Sequence, residues 1–126
     1  MRHLVNTKKL GRGTAHRMAM LRNLAGSLLE HGQISTTLGR AKALRPFVEK
    51  MVTIAKTKDR LTAIRTLHEK LFTDISVHNC FEYAEIFKDR KGGYLRILKN
   101  GFRYGDNAPV AIIQFVEKIQ SQQNVQ

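Results

Sequence analysis

The chain has 126 residues, 42% of them hydrophobic, and carries 22 Lys and Arg against 10 Asp and Glu, a net charge of +12. That length suits one domain and is too short for two well-formed cores. The apolar fraction excludes wholesale disorder, and the charge points to a polyanionic partner.

Other classes fall away for equally simple reasons. The charge alone would suit a nucleic acid or an anionic membrane. No apolar run approaches the roughly 18 residues of a membrane span, and the partner expected is nucleic acid, not a membrane. The N-terminus, MRHLVNTKKLGR, has no apolar stretch of signal-peptide length. It is basic and acid-free, but it runs into the following pattern without a cleavage-like break, which argues against a transit peptide. The single Cys80 excludes an internal disulfide framework and a Cys-based zinc site. It fits a reducing compartment, such as the cytoplasm.

The charge is unevenly placed. Residues 1–29 hold six Lys or Arg and no acid, and the first carboxylate is Glu30. Residues 61–90 hold four basic residues and five acids. The front and back of the chain are therefore basic, and the segment between them is near neutral. Solubility alone would be served by mixed signs, so a 29-residue run without an acid suggests a phosphate-rich surface.

In chain order, residues 1–13 show neither helical nor strand period and read as an extended basic arm that orders only against a partner. A first helix is expected with Thr14 as its N-cap and Gly32 just past its end. Ala15, Met18, Leu21, Ala25, Leu28 and Leu29 would form its apolar stripe. Ile34 to Thr37 reads as a short strand. A second helix is expected from about Leu38 to Lys56, with Pro46 kinking it on the solvent side. Asp59 is a candidate cap for a third helix carrying Leu61, Ile64, Leu67 and Leu71. Thr73 to Lys88 reads as a fourth, through Ile75, Phe81, Ala84 and Phe87.

After Gly92-Gly93 the period becomes two. Tyr94 to Lys99 alternates as a strand, Asn100 to Pro109 reads as a long turn, and Val110 to Val116 is β-prone, which predicts a hairpin. The domain organisation expected is a basic arm over 1–13, a single α/β domain over 14–117 and a polar tail over 118–126.

The chemistry-bearing residues are mostly cations. Arg2, His3, Lys8, Lys9 and Arg12 in the arm, and His16, Arg17, Arg22 and Asn23 on the first helix, are candidate nucleic-acid contacts. So are Arg40, Lys42 and Arg45 on the second helix, and Arg96, Lys99 and Arg103 near the hairpin. Arg17 in a first turn opposes the helix dipole, and a nearby phosphate would reverse that penalty. The five His show no paired ligand spacing, so neither a metal nor another cofactor is expected. Cys80 reads as buried. Gly92-Gly93 is not a phosphate-binding Walker loop. It suits a close phosphate approach and a simple turn about equally. Phe102 and Tyr104 flank Arg103, where they could stack on unpaired bases or pack the turn inward. The favoured expectation is that at least one packs inward and holds the turn rigid.

These residues carry a family likeness. Met1-Arg2-His3, Leu10-Gly11-Arg12, His16 to Met20, Arg22-Asn23-Leu24, Ser27-Leu28, Thr36-Thr37, Arg40-Ala41-Lys42, Leu44-Arg45 and Thr53 to Lys56 resemble the bacterial-type ribosomal large-subunit protein 17 family. So do Gly92-Gly93-Tyr94, Arg96 to Lys99, Gly101-Phe102-Arg103 and Gly105 to Pro109. The likeness spans about residues 1–56 and 90–117. It implies a two-layer domain of order α-β-α-α-α-β-β, with helices on one face of a three-stranded mixed sheet. It also implies a non-enzymatic structural constituent of the ribosome that supports translation. The implied partners are large-subunit ribosomal RNA and neighbouring ribosomal proteins near the peptide exit tunnel, and no small-molecule substrate is implied. Two rivals come from other classes. A small DNA- or RNA-binding regulator would need a compact recognition helix and usually a dimer seam. An enzyme acting on RNA would need paired carboxylates or a nucleophile–base pair, and the sequence shows neither.

Overall fold

A computed structural model of the chain describes residues 13–119. The elements are α1 (Thr14–His31), β1 (Gln33–Thr37), α2 (Leu38–Thr57), α3 (Arg60–Lys70), α4 (Asp74–Ile86), β2 (Leu95–Phe102) and β3 (Pro109–Phe115). This is the expected order in an α+β fold. The arm expected over residues 1–13 lies, except for Gly13, outside the described residues.

Local chemistry explains most element ends. Gly32 closes α1 at φ 84, a left-handed conformation that costs glycine no Cβ clash, and its N–H donates to the Leu28 carbonyl at 2.7 Å. At the other end the cap differs from expectation. Gly13 is the extended N-cap and Thr14 already lies in the helix, so no side chain caps α1. The Gly13 carbonyl takes the first helical bond from the Arg17 N–H at 2.9 Å. Asp59 caps α3 as expected, accepting from the Thr62 N–H at 3.2 Å. Thr73 caps α4 by accepting from the Ser76 N–H, also at 3.2 Å. Pro46 lies inside α2 on its exposed side, where water can reach the carbonyl left without its usual donor.

The sheet order is β1-β3-β2, and both pairings are antiparallel. The expected mixed sheet is corrected on this point. β1 and β2 run in the same direction, but β3 inserts between them by closing a hairpin with β2. No two parallel strands are therefore neighbours. Cross-strand partners Ile34, Ile113 and Ile97 share a face, and Ile113 is fully buried. Ser35, Ile112 and Leu98 share the opposite face, where Ser35 and Leu98 are exposed. The helices cover the first face only, so the strands alternate between apolar and mixed positions.

The core joins both layers. Leu28 and Leu29 of α1, Leu44, Val48 and Met51 of α2 and Tyr83 of α4 meet Leu95, Ile113 and Phe115 of the sheet. Tyr83 stacks on Phe115 with centroids 3.7 Å apart. Ile119 is buried in the same cluster, so packing continues past Glu117. Three residues of the expected helical apolar stripes are exposed, Ala15 of α1 among them. Leu61 is 59% exposed and Ile75 is 64% exposed. α3 and α4 bury Ala63 and Val77 instead, two residues on and nearly opposite on a 3.6-residue turn.

Candidate nucleic-acid interface

The sheet geometry sorts the candidate cations into places. Thr37 pairs with Val110, and Phe102 pairs with Pro109. The start of α2, directly after Thr37, therefore lies at the same end of the sheet as the hairpin tip. Arg40 and Lys42 in the opening turns of α2, Lys99 near the end of β2 and Arg103 at the tip belong to this end. Arg96 pairs with Gln114, which in turn pairs with Gln33, so Arg96 sits toward the opposite end on the uncovered face. Arg45 points along its own helix toward Glu49, with Nε 3.5 Å from the carboxylate. This partner leaves Arg45 less charge for a phosphate than sequence suggested.

On α1, His16 and Asn23 are exposed and Arg17 is half-buried. Arg22 is also half-buried, and its Nε atom is buried without a hydrogen-bond partner among the described residues. It lines a shallow cleft with Asn23, Phe72, Thr73 and Ser76. Glu30, the first acid in the chain, is engaged there: it accepts from the Thr73 hydroxyl at 3.1 Å and the Ser76 hydroxyl at 3.3 Å. Both α1 and α2 begin with no acid in the first turn and no side-chain cap. Their first-turn amides and nearby cations therefore present positive charge of the same sign. Arg2, His3, Lys8, Lys9 and Arg12 lie outside the described residues.

The hairpin tip departs from expectation. Phe102 is 69% exposed and Tyr104 is fully exposed, so neither aromatic packs inward. The turn is shorter than expected, because β2 continues to Phe102. Polar bonds hold it instead. The Arg103 guanidinium grips Asp106 with Nε–Oδ1 3.1 Å and Nη2–Oδ2 2.5 Å. Asp106 also accepts from the Ala108 N–H at 3.2 Å, and the Arg103 N–H donates to the Ala108 carbonyl at 2.8 Å. The Arg103 side chain, together with the smaller effect of the Ala108 N–H, holds the Asp106 carboxyl down at about 2. Apolar residues are scarce at the tip, so local Asx-type bonding takes over from packing.

Gly93 adopts φ 65 after the fourth helix, as a simple turn requires. The adjacent Tyr94 is anchored by two side chains that the sequence did not single out as site residues. Glu49 accepts from the Tyr94 N–H at 2.7 Å, and the Lys56 ammonium donates to the Tyr94 hydroxyl at 2.9 Å and to the Arg90 carbonyl. Lys56, Lys58, Arg60 and Lys88 also line one cleft beside Phe81, with the Arg60 guanidinium 4.7 Å over the ring. Lys56, Lys58 and Arg60 are close in sequence, but counting charge along the chain could not place Lys88, just past the end of α4, beside them.

Comparison with known proteins settles the family. A profile described as ribosomal protein L17 matches residues 20–116. The chain belongs to the ribosomal protein L17 family. Large ribosomal subunit protein bL17 of Orientia tsutsugamushi (strain Boryong) is 52% identical over 119 residues, covering 94% of this chain and 81% of that protein. The bL17 protein of Ruegeria pomeroyi is 53% identical over the same length, covering 84% of its own chain. That of Neorickettsia sennetsu is 45% identical over 117 residues and is covered completely. As an L17 protein, the chain is a structural, non-enzymatic constituent of the large ribosomal subunit and functions in translation in the cytoplasmic ribosome.

Proposed function

We propose that this chain binds large-subunit ribosomal RNA through the basic arm of residues 1–13, the exposed start of α1 and the hairpin tip, helped by the opening turns of α2. The observation that carries the reading is that both long helices start without an acid or a side-chain cap, beside Arg17, Arg40 and Lys42. Such ends accept phosphate oxygens on backbone N–H groups, and the cations add charge-assisted bonds. The neighbourhood of the exit tunnel, and contacts with the ribosomal proteins there, rest on the family likeness. Cross-linking within assembled subunits tests them.

The RNA reading is tested by salt. Affinity for large-subunit ribosomal RNA is measured between low and moderate ionic strength, for the full chain and for a variant lacking residues 2–12. Each phosphate neutralised contributes a log–log slope of roughly −0.7 on single-strand-like RNA. Residues 2–12 include Arg2, Lys8, Lys9 and Arg12, so their loss should flatten the slope by roughly 3. An unchanged slope removes the arm from the interface.

A further inference from the structure

The neck of the β2–β3 hairpin holds a feature that phosphate binding does not use. Lys99 pairs with Ala111 and Phe102 pairs with Pro109, so Asn100 and Gly101 together face one residue, Val110. This is a bulge, and Gly101 takes φ 77 within it, a conformation that favours glycine. The bulge re-aims the strand just before Phe102. Beside it lies a cleft of about 250 Å³ lined by Leu38, Lys99, Gly101, Phe102, Pro109 and Val110. Its walls are apolar except for Lys99, and Phe102 remains 69% exposed.

We propose that this cleft, between the start of α2 and the hairpin neck, seats an unpaired nucleobase of the bound RNA, stacked on Phe102. The proposal rests on the RNA-binding reading and adds to it what kind of RNA the hairpin recognises. A flat ring attached to a phosphate matches an apolar slot with a cation among its lining residues. The surrounding charge has the right sign: Arg40 and Lys42 are nearby on α2, whose first turn carries no acid. The carboxylate at the tip, Asp106, is already taken by Arg103. An apolar side chain from a protein would fill the slot too, but it would gain nothing from these cations. A base within a duplex is stacked on both faces and cannot enter, so the hairpin should prefer loops and bulges.

The test uses the full chain with two labelled probes, a ten-nucleotide single-stranded RNA and a ten-base-pair RNA duplex, at one low salt concentration. Phe102→Leu should weaken single-strand binding about tenfold, the scale of one base–aromatic stack, and leave duplex binding unchanged. Its melting temperature should stay near that of the parent, because the ring is mostly exposed. Phe102→Trp introduces the chain's first tryptophan. Its emission should be quenched by the single strand and not by the duplex. Equal weakening on both probes, or no weakening with unquenched emission, overturns the stacking cleft while leaving the arm's role intact. Binding of neither probe by the parent chain overturns the RNA-binding reading and the cleft with it. Normal binding of both probes by Phe102→Leu, with poor entry into large subunits, assigns the cleft to a protein neighbour and also overturns the proposal.

Discussion

Arg103 and Asp106 close the hairpin tip on each other through two bonds, one from Nε and one from Nη2. The cation best placed to meet RNA at the tip is thus also the residue that shapes it. Asp106→Asn should leave global stability nearly unchanged, since the pair is solvent-exposed. It should speed hydrogen exchange at the Ala108 and Asn107 amides, whose bonds complete the turn. The pH dependence has a definite sign. The Asp106 carboxyl is depressed to about 2, against about 3.9 when unfolded. Its contribution is therefore present above about pH 4 and is lost as pH falls through about 2. Exchange at Ala108 that is insensitive to both the mutation and acid would show that the pair does not hold the turn.

Two phenylalanines near each other in sequence should respond oppositely to truncation. Phe115→Ala removes a ring that is 1% exposed and stacked on Tyr83, and should cost about 3–5 kcal/mol of stability. Phe102→Ala removes a largely exposed ring and should shift the melting temperature little. Thermal unfolding of both variants checks the pair. A large loss from Phe102→Ala would mean that the ring packs inward in solution.

Charge reversals should separate the basic ends of the chain from the middle. Lys70 lies at the end of α3, with its ammonium 5.9 Å from the Phe47 ring, in the segment whose charge is near neutral. Lys70→Glu should change affinity for ribosomal RNA less than twofold. Arg17→Glu should weaken it severalfold and reduce the salt slope by up to roughly 0.7. Comparable losses from the two would place the middle segment on RNA. Lys88 is a different case, because it shares its cleft with Lys56, Lys58 and Arg60.

Cys80 should be chemically silent while the chain is folded. It is fully buried, and burial pushes its thiol up to about 12. The unfolded thiol ionises near about 8.5. Keeping it neutral in the fold therefore favours folding fully below about pH 8.5, and that contribution is lost as pH rises toward 12. An alkylating reagent at pH 8 should label Cys80 only after denaturant is added. Rapid labelling of the native chain would contradict this burial.

Element order and type were legible in the sequence because they depend on local chemistry. The apolar spacing from Leu21 to Leu29, the left-handed stop at Gly32, the Asp59 cap and the change of period after Gly93 each act within a few residues. The polyanionic partner was legible too, since net charge depends on composition alone. Tertiary structure decided what depends on distant neighbours. It inserted β3 between β1 and β2, making the sheet antiparallel, because strand order depends on long-range pairing. It exposed Leu61, Ile75 and Phe102, because an apolar residue is buried only where another element covers it. It also brought Lys88, just past the end of α4, to the cleft that Lys56, Lys58 and Arg60 line around the α2–α3 link. Electrostatic interactions act through space, and a linear reading sees only separation along the chain.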